Sequence, residues 1–234
     1  MSAATSTVEY LRAVPAFSGL SDAQLQMLAR SVGERSFARG APIFHQGSRG
    51  SELYIIVHGQ VQIFTTSEAG QELTLRIMCA GDFFGELALL DGLPRSAGAR
   101  AMCKTSTLTL SRAAFLHTIN TCPPIAAAIL EVMAARLRQS TAYVEQLARL
   151  SAPQRVVRQL LSLAEHHGVS EDEGTRIAIR LTQDDLASLS GTTRETANRV
   201  LASLRDQGLI RVERTQVRIL DTSKLSRLLE HFEG

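Results

Sequence analysis

Cysteine is scarce in this chain of 234 residues. Cys79, Cys103 and Cys122 are an odd number at wide spacing, which fits neither a disulfide framework nor the paired ligands of a zinc site. Long apolar runs are missing too. No stretch approaches the roughly 18 uninterrupted apolar residues of a bilayer span, and mean hydropathy is only +0.02, so an integral membrane protein is not expected. Residues 1–15 carry Glu9 and Arg12 and lack a basic start followed by an apolar run, so they do not read as a secretory signal. A cytoplasmic location is therefore the expectation. There is no phosphate-loop lysine motif, nucleophile elbow or HExxH, which speaks against an enzyme. An excess of one charge is also lacking: 25 Lys and Arg against 23 Asp and Glu leave a formal net charge of +2, too small to advertise nucleic acid. Any such partner has to be argued from where the arginines sit.

What is present is 44% hydrophobic and 21% charged, enough to bury the cores of two modest domains. From about 36 to 112 the chain is punctuated by Gly40, Gly47, Gly50, Gly59, Gly70, Gly81, Gly85, Gly92 and Gly98, with short alternating apolar runs between them. That spacing predicts a compact all-β barrel or jelly roll. Leu53, Ile55 and Val57 alternate, as do Val61 and Ile63, then Leu73, Leu75 and Ile77, so each run is expected to bury one face. Ahead of this region Ser21 is placed to cap a helix over 22–29.

The period changes over 125–150, where Leu130, Met133, Leu137, Ser140, Val144 and Leu147 step by three and four. This heptad seam, flanked by Arg136, Arg138, Gln139 and Glu145, favours a parallel partner helix; one long core helix is the alternative. Ser140 is a hydroxyl in a seam where leucine would be more stabilising, and a polar residue there sets register or meets something polar. A further helix is expected from Ser151 and Pro153 to about His166, then a polar, acidic loop over 168–174. Thr182 is placed to cap a helix ending near Ser190, Gly191 to turn the chain, and Thr193 to cap a second helix over 194–207 that stops at Gly208. Two helices joined by so short a turn match a helix-turn-helix. Alternation over 211–219 predicts a β-hairpin wing, and 223–232 reads as a short amphipathic helix after it.

Two groups of residues carry chemistry. In the first, Gly81-Asp82-Phe83-Phe84-Gly85-Glu86-Leu87-Ala88-Leu89-Leu90 leads into Asp91-Gly92-Leu93-Pro94-Arg95-Ser96-Ala97. A glycine opening a short helix leaves free N–H groups facing outward, an anion site to which Arg95 can add a charge-assisted contact. Glu86 beside it is an acceptor suited to a sugar hydroxyl. Alternatively, Glu86 and Arg95 pair with each other across the turn. In the second group, Thr192-Thr193-Arg194-Glu195-Thr196-Ala197-Asn198-Arg199, three long side chains can project from the start of one helix. Arginine suits guanine O6 and N7, and glutamate can accept from cytosine N4; an exposed Glu195–Arg199 pair supporting its own helix is the alternative.

The first group, with Pro94-Arg95-Ser96-Ala97 following Phe84-Gly85-Glu86-Leu87-Ala88-Leu89, resembles the phosphate-binding cassette of cyclic-nucleotide-binding domains. Together with the long helix and the helix-turn-helix, the chain from about Phe17 to the wing resembles the cyclic AMP receptor protein and Fnr family of bacterial transcription regulators. The resemblance implies an α+β fold: a jelly-roll-like β-roll over 1–122, a dimerisation helix over 123–150 and a winged helix-turn-helix over 151–234. It further implies cAMP as allosteric effector, with Glu86 on the ribose 2′-hydroxyl, Arg95 and Ser96 on the cyclic phosphate beside Gly85 and Leu87, and Ile63, Leu75 and Met78 along the base. Arg136 matches a basic position near the ligand, and aligning Arg155-Val156 places Ser140 and Thr141 on a hydroxyl pair that meets adenine, one hydroxyl from each subunit. Metal, haem and iron-sulfur groups are not expected: the N-terminal cysteines of iron-sulfur members are absent before Cys79, and His45, His58 and His117 read as surface or strand-end histidines.

The Arg-Glu-x-x-x-Arg pattern of the second group resembles the helix with which cAMP-binding members read a TGTGA half-site. This implies double-stranded DNA, a homodimer and RNA polymerase as partners, with no membrane. Arg194, Glu195 and Arg199 would read bases, Thr182 and Thr193 would touch phosphate, and Arg180, Arg211 and Arg214 are backbone-contact candidates. Gln183 departs from the pattern, standing where those members carry a basic residue. Residues 151–234 hold 12 Lys or Arg and 12 Asp or Glu, so binding has to depend on clustering of Arg180, Arg194, Arg199, Arg211, Arg214 and Arg218 on one face. The same architecture sensing cGMP or another nucleotide, or acting without an effector, is an alternative. A regulatory subunit whose C-terminal domain binds protein is a more distant one.

Overall fold

Residues 3–213 and 215–231 are described by the structure, a computed structural model. They fall into two compact units: Met1–Gln71 with Leu75–Ser140, and Glu72–Thr74 with Thr141–Gly234.

In the first unit α1 (Ala3–Ala13), a 3-10 turn (Pro15–Phe17) and α2 (Asp22–Ala29) precede the strands. The predicted cap of α2 is a full capping box, with Ser21 Oγ accepting from the Gln24 N–H and the Gln24 side chain accepting from the Ser21 N–H. The eight strands are β1 (Val32–Phe37), β2 (Pro42–Phe44), β3 (Glu52–His58), β4 (Gln60–Thr66), β5 (Glu72–Cys79), β6 (Phe83–Phe84), β7 (Gly98–Ala101) and β8 (Thr105–Ser111). They form two four-stranded sheets, ordered β1-β8-β3-β6 and β2-β7-β4-β5. Short strands paired out of chain order make the predicted jelly-roll-like β-roll.

β3 departs from the expected one-faced pattern, because Leu53, Tyr54, Ile55 and Ile56 are all buried. It lies between two cores. Leu53 and Ile55 join Leu108 and Leu110 against a helical layer of Leu11, Phe17, Leu25, Phe115 and Ile125, while Tyr54 and Ile56 pack with Val61, Met78, Phe84 and Ala99. Leu75 departs as well. Predicted to be core, it is 45% exposed, because its side of β5 lines an open cavity.

α3 (Leu87–Leu90) follows β6, and after β8 come α4 (Arg112–Thr121), capped by Ser111, and α5 (Pro123–Arg149). The start of α5 is a core helix, with Ile125 and Ile129 buried and Val132 and Met133 packed on the same cluster. Apart from Met133, its predicted seam is largely uncovered by its own chain. Leu130, Leu137 and Val144 are 68%, 69% and 65% exposed, a row of large apolar side chains that a solvated helix does not favour. Among the described residues no single helix is long and apolar enough to cross a membrane.

The second unit adds α6 (Ala152–His167), β9 (Gly168–Glu171), β10 (Gly174–Ile177), α7 (Gln183–Leu189), α8 (Arg194–Asp206), β11 (Ile210–Glu213), β12 (Gln216–Ile219) and α9 (Thr222–His231). Thr182 with Asp185 and Thr193 on the Thr196 N–H cap their helices where the sequence places them, and Ser151 with Gln154 adds a capping box at the start of α6. Gly208, at φ +69, takes the chain out of α8. The acidic segment expected as a loop is instead the hairpin β9–β10. Its polar residues hide the strand pattern, but Ile177 is fully buried, and β10 pairs with β12 to extend the wing into a sheet ordered β11-β12-β10-β9.

Val156, Leu160 and Leu163 of α6 share the buried interior of this unit with Leu186, Val200, Leu204 and Ile219. α9 packs on α6 and buries Leu225 completely, so the segment after the wing is part of the domain's core; Phe232 lies outside the described residues. Leu225→Ala leaves a cavity under α9 and is expected to destabilise by about 2–5 kcal/mol, read as a lowered midpoint in chemical denaturation followed by circular dichroism.

Candidate functional site

The cavity in the first unit measures about 180 Å³. Its walls bring together ten residues singled out from the sequence: Ile63, Leu75, Met78, Gly85, Glu86, Leu87, Arg95, Ser96, Arg136 and Ser140. Phe44, Arg76, Phe84, Ala88 and Ala97 complete the lining. Thr141 is exposed on α5 and is not part of it.

Arg95 is 5% exposed, a cation taken almost wholly out of water, which is costly unless its donors are satisfied. It reaches back under the cassette. Nη1 donates to the Gly85 carbonyl and Nη2 to the Glu52 carbonyl at 2.6 Å, while its carbon centre lies 4.2 Å from the Phe44 ring centroid. Phe44 in turn packs on Tyr54 and Phe84, which stack at 5.3 Å. Nε is buried without a partner among the described residues. Burial lowers the guanidinium below its ordinary range, with Tyr54, Glu86 and Glu52 pulling the other way.

Two glycines make room for this side chain. Gly85 has φ +83, and a Cβ there would lie 2.5 Å from Arg95 Nη1. At Gly50 the limit is space alone: a Cβ would come within 2.5 Å of Ala88 Cβ and 2.9 Å of Arg95 Nε. The sequence reading used Gly50 only as punctuation and missed Phe44 and Arg76; no motif marks them, since Phe44 acts by packing against Arg95, distant in sequence, and Arg76 is brought to the cassette only by the cavity wall.

Glu86, also 5% exposed, does not pair with Arg95, so the cross-turn alternative is set aside. Its Oε1 accepts from Arg136 Nη1 at 2.8 Å, and Arg136 also donates to the Phe83 carbonyl and lies over the Phe83 ring. Glu86 Oε2 has no hydrogen-bond partner among the described residues, which leaves an acceptor for a hydroxyl. Ser140 Oγ donates to the Arg136 carbonyl one turn back, so its hydrogen is engaged while its lone pairs remain.

In the second unit the turn from α7 to α8 is held by its own carbonyls. Tyr143 Oη donates to Leu189 O at 3.0 Å, and Arg155 donates to Ser190 O and Gly191 O, each at 2.8 Å. α8 presents Arg194, Glu195 and Arg199 exposed at its start. Glu195 and Arg199 do not form the alternative pair: Arg199 donates to Thr196 Oγ1, and Arg194 lies 3.5 Å from Asp184, an exposed contact of little energy. Thr182 and Thr193 are exposed or half-buried with their hydroxyls engaged in capping. Arg180 is exposed, and Arg214 lies outside the described residues.

The expected basic cluster needs correction at Arg211 and Arg218. Arg211, Arg218 and Arg176 are successive cross-strand partners on β11, β12 and β10, and like charges so placed repel. The hairpin supplies the counter-charges, Glu173 to Arg211 and Arg218, and Glu171 to Arg176 and Arg218. Arg176 and Arg218 are therefore engaged within the fold, while Arg211 and Glu173 form an exposed pair of little energy. Among the described residues no group of three His, Cys, Asp or Glu could hold a metal ion. Burial pushes the Cys79 thiol up to about 11, so it is a poor nucleophile near neutral pH.

A β-roll with a polar cassette, carried on one chain with a winged helix-turn-helix, defines a ligand-binding regulator of DNA. Comparison with known proteins agrees. Residues 34–122 match the cyclic nucleotide-binding domain and residues 154–228 the Crp-like helix-turn-helix domain. A CRP-like cAMP-activated global transcriptional regulator of Mycobacterium tuberculosis is 35% identical over 219 residues, covering 94% of this chain and 98% of that protein. The cyclic AMP receptor protein of Thermus thermophilus is 33% identical, covering 93% and 98%. Among solved structures, the c-di-GMP responsive global regulator CLP of Xanthomonas campestris has a TM-score of 0.74 at 25% identity, covering 86% of this chain and all of that one. The chain belongs to the CRP/FNR family of transcription regulators: it is a DNA-binding, cyclic-nucleotide-binding protein and not an enzyme.

Gly50→Ala tests the packing of the cassette. The added methyl has to displace Ala88 or Arg95, and the expected result is a loss of about 1–3 kcal/mol of stability in urea denaturation, with weaker nucleotide binding by calorimetry.

Proposed function

We propose that this protein is a cAMP-responsive, sequence-specific transcription regulator that acts in the cytoplasm as a homodimer on a TGTGA-type palindrome. The observation that carries the reading is the meeting of Glu86, Arg95, Ser96 and Ser140 on one cavity, with the apolar stripe of α5 exposed beside Ser140. Glu86 Oε2 accepts the ribose 2′-hydroxyl while Oε1 keeps Arg136. Arg95 and Ser96 hold the cyclic phosphate against Gly85 and Leu87, and Ile63, Leu75 and Met78 flank the base. The adenine amino group donates to the Ser140 hydroxyl and to Thr141 of the partner subunit; the exposure of Thr141 supports that assignment.

The stripe Leu130, Leu137, Val144 and Leu147 supplies the dimer contact over 123–150. A ligand touching both helices favours the dimer state in which those contacts exist, and the coupling to DNA is a population shift. In the DNA complex Arg194, Glu195 and Arg199 read base edges, and the helix starts at Thr182 and Thr193 meet phosphate through their N–H groups. Arg180 and Arg214 add backbone contacts, and Arg211 joins them only by sharing Glu173. RNA polymerase is the expected partner of the bound dimer.

Fluorescence anisotropy of a TGTGA-N6-TCACA duplex at fixed salt, with and without cAMP, tests the whole scheme. Tight binding that needs cAMP is the expected result. Equal binding either way assigns the cavity to another effector, and no preference over a scrambled duplex removes the half-site. Arg199→Ala is expected to lower discrimination at one guanine by about 1–3 kcal/mol, measured by competition between matched and mismatched duplexes. Equal weakening on all sequences would mark it as a phosphate contact.

A further inference from the structure

Three arginines face the cavity, and two of them already hold acceptors of the protein itself. Arg95 is fixed by main-chain carbonyls under the cassette, and Arg136 by Glu86 and Phe83 O. The third, Arg76 on β5, lines the same cavity and has no hydrogen-bond or ion-pair partner among the described residues. Its neighbours in the lining include Ile63, Leu75 and Met78, apolar side chains that suit a flat ring. Burial, and then the charge of Arg136, lower its guanidinium below its ordinary range, with Asp82 and Glu86 acting the other way. A cation set in such a wall is disfavoured until something brings acceptors to it.

The shape of the group says which acceptors. A guanidinium offers a planar fork of donors and accepts nothing. Guanine presents O6 and N7 side by side, two acceptors that match the fork; adenine presents N7 beside an amino donor, which leaves one arm of the fork facing another donor. The phosphate has Arg95 and Ser96, on the cassette, to receive it. We propose that Arg76 is a base-selecting residue that donates to the O6 and N7 edge of guanine, so that the cavity accepts cGMP as well as cAMP. The inference rests on the reading of the cavity as a cyclic-nucleotide site and adds a selectivity to it.

The test is calorimetric titration of the full chain with cAMP and with cGMP, in the unaltered protein, Arg76→Ser and Arg76→Lys. The unaltered protein is expected to bind both. In Arg76→Ser the ratio of the cGMP to the cAMP dissociation constant rises by about tenfold or more, in keeping with the discrimination a bidentate guanine contact carries. Arg76→Lys keeps the charge without the fork, and the ratio moves in the same direction. An unchanged ratio, with both nucleotides weakened alike, means that Arg76 serves the phosphate or the fold, and the inference falls. Binding of cAMP without any binding of cGMP by the unaltered protein also overturns it, while leaving the cyclic-nucleotide reading in place. Binding of neither nucleotide removes that reading together with the inference.

Discussion

The first unit is organised around a charge held out of water. Arg95 can be buried only if its fork finds carbonyls, its face finds a ring and nothing occupies the space beside it. Gly85 O, Glu52 O, the Phe44 ring and the bare Cα of Gly50 meet those conditions from three stretches of chain, at 44, 50–52 and 85. The β-roll topology is what brings them together, since the cassette is distant in sequence from β2 and β3. A lysine would keep the charge but not the planar fork. The same logic holds for Glu86 and Arg136, where a buried ion pair is backed by a carbonyl and an aromatic face. Such pairs are weak sources of net stability. Their use here is to hold polar groups in fixed directions along a cavity wall.

Much of this was legible in the sequence, because it depends on local rules. Ser21, Thr182 and Thr193 cap helices where their hydroxyls predict, and Gly208 ends one. The cassette residues are close in sequence and therefore readable as a unit, and ten of the eleven residues picked for the ligand do line one cavity. What was not legible depends on partners far along the chain. β3 reads as half-buried from its neighbours and is buried on both faces, because helices from both ends of the β region cover one side of it. Gly50, Phe44 and Arg76 carry no local signal. The hairpin β9–β10 was hidden by its acidic composition, and only its pairing with β12 makes a strand of it.

That hairpin changes the electrostatics of the second unit. A neutral balance of charges says nothing about their arrangement, and a basic face was the natural expectation for a DNA-binding domain. The fold instead stacks Arg176, Arg218 and Arg211 across one sheet and threads Glu171 and Glu173 among them. The exposed start of α8 is left with Arg194, Glu195 and Arg199.

The neutralised wing bears on how such a regulator moves through a genome. Affinity for arbitrary sequence grows with the number of phosphates a protein neutralises, and each released counterion steepens its dependence on salt. Two wing arginines tied to Glu171 and Glu173 contribute less to that term. A smaller term of that kind shortens the dwell of a regulator on irrelevant sites and makes occupancy of an operator depend more heavily on the few side chains that distinguish one base pair from another.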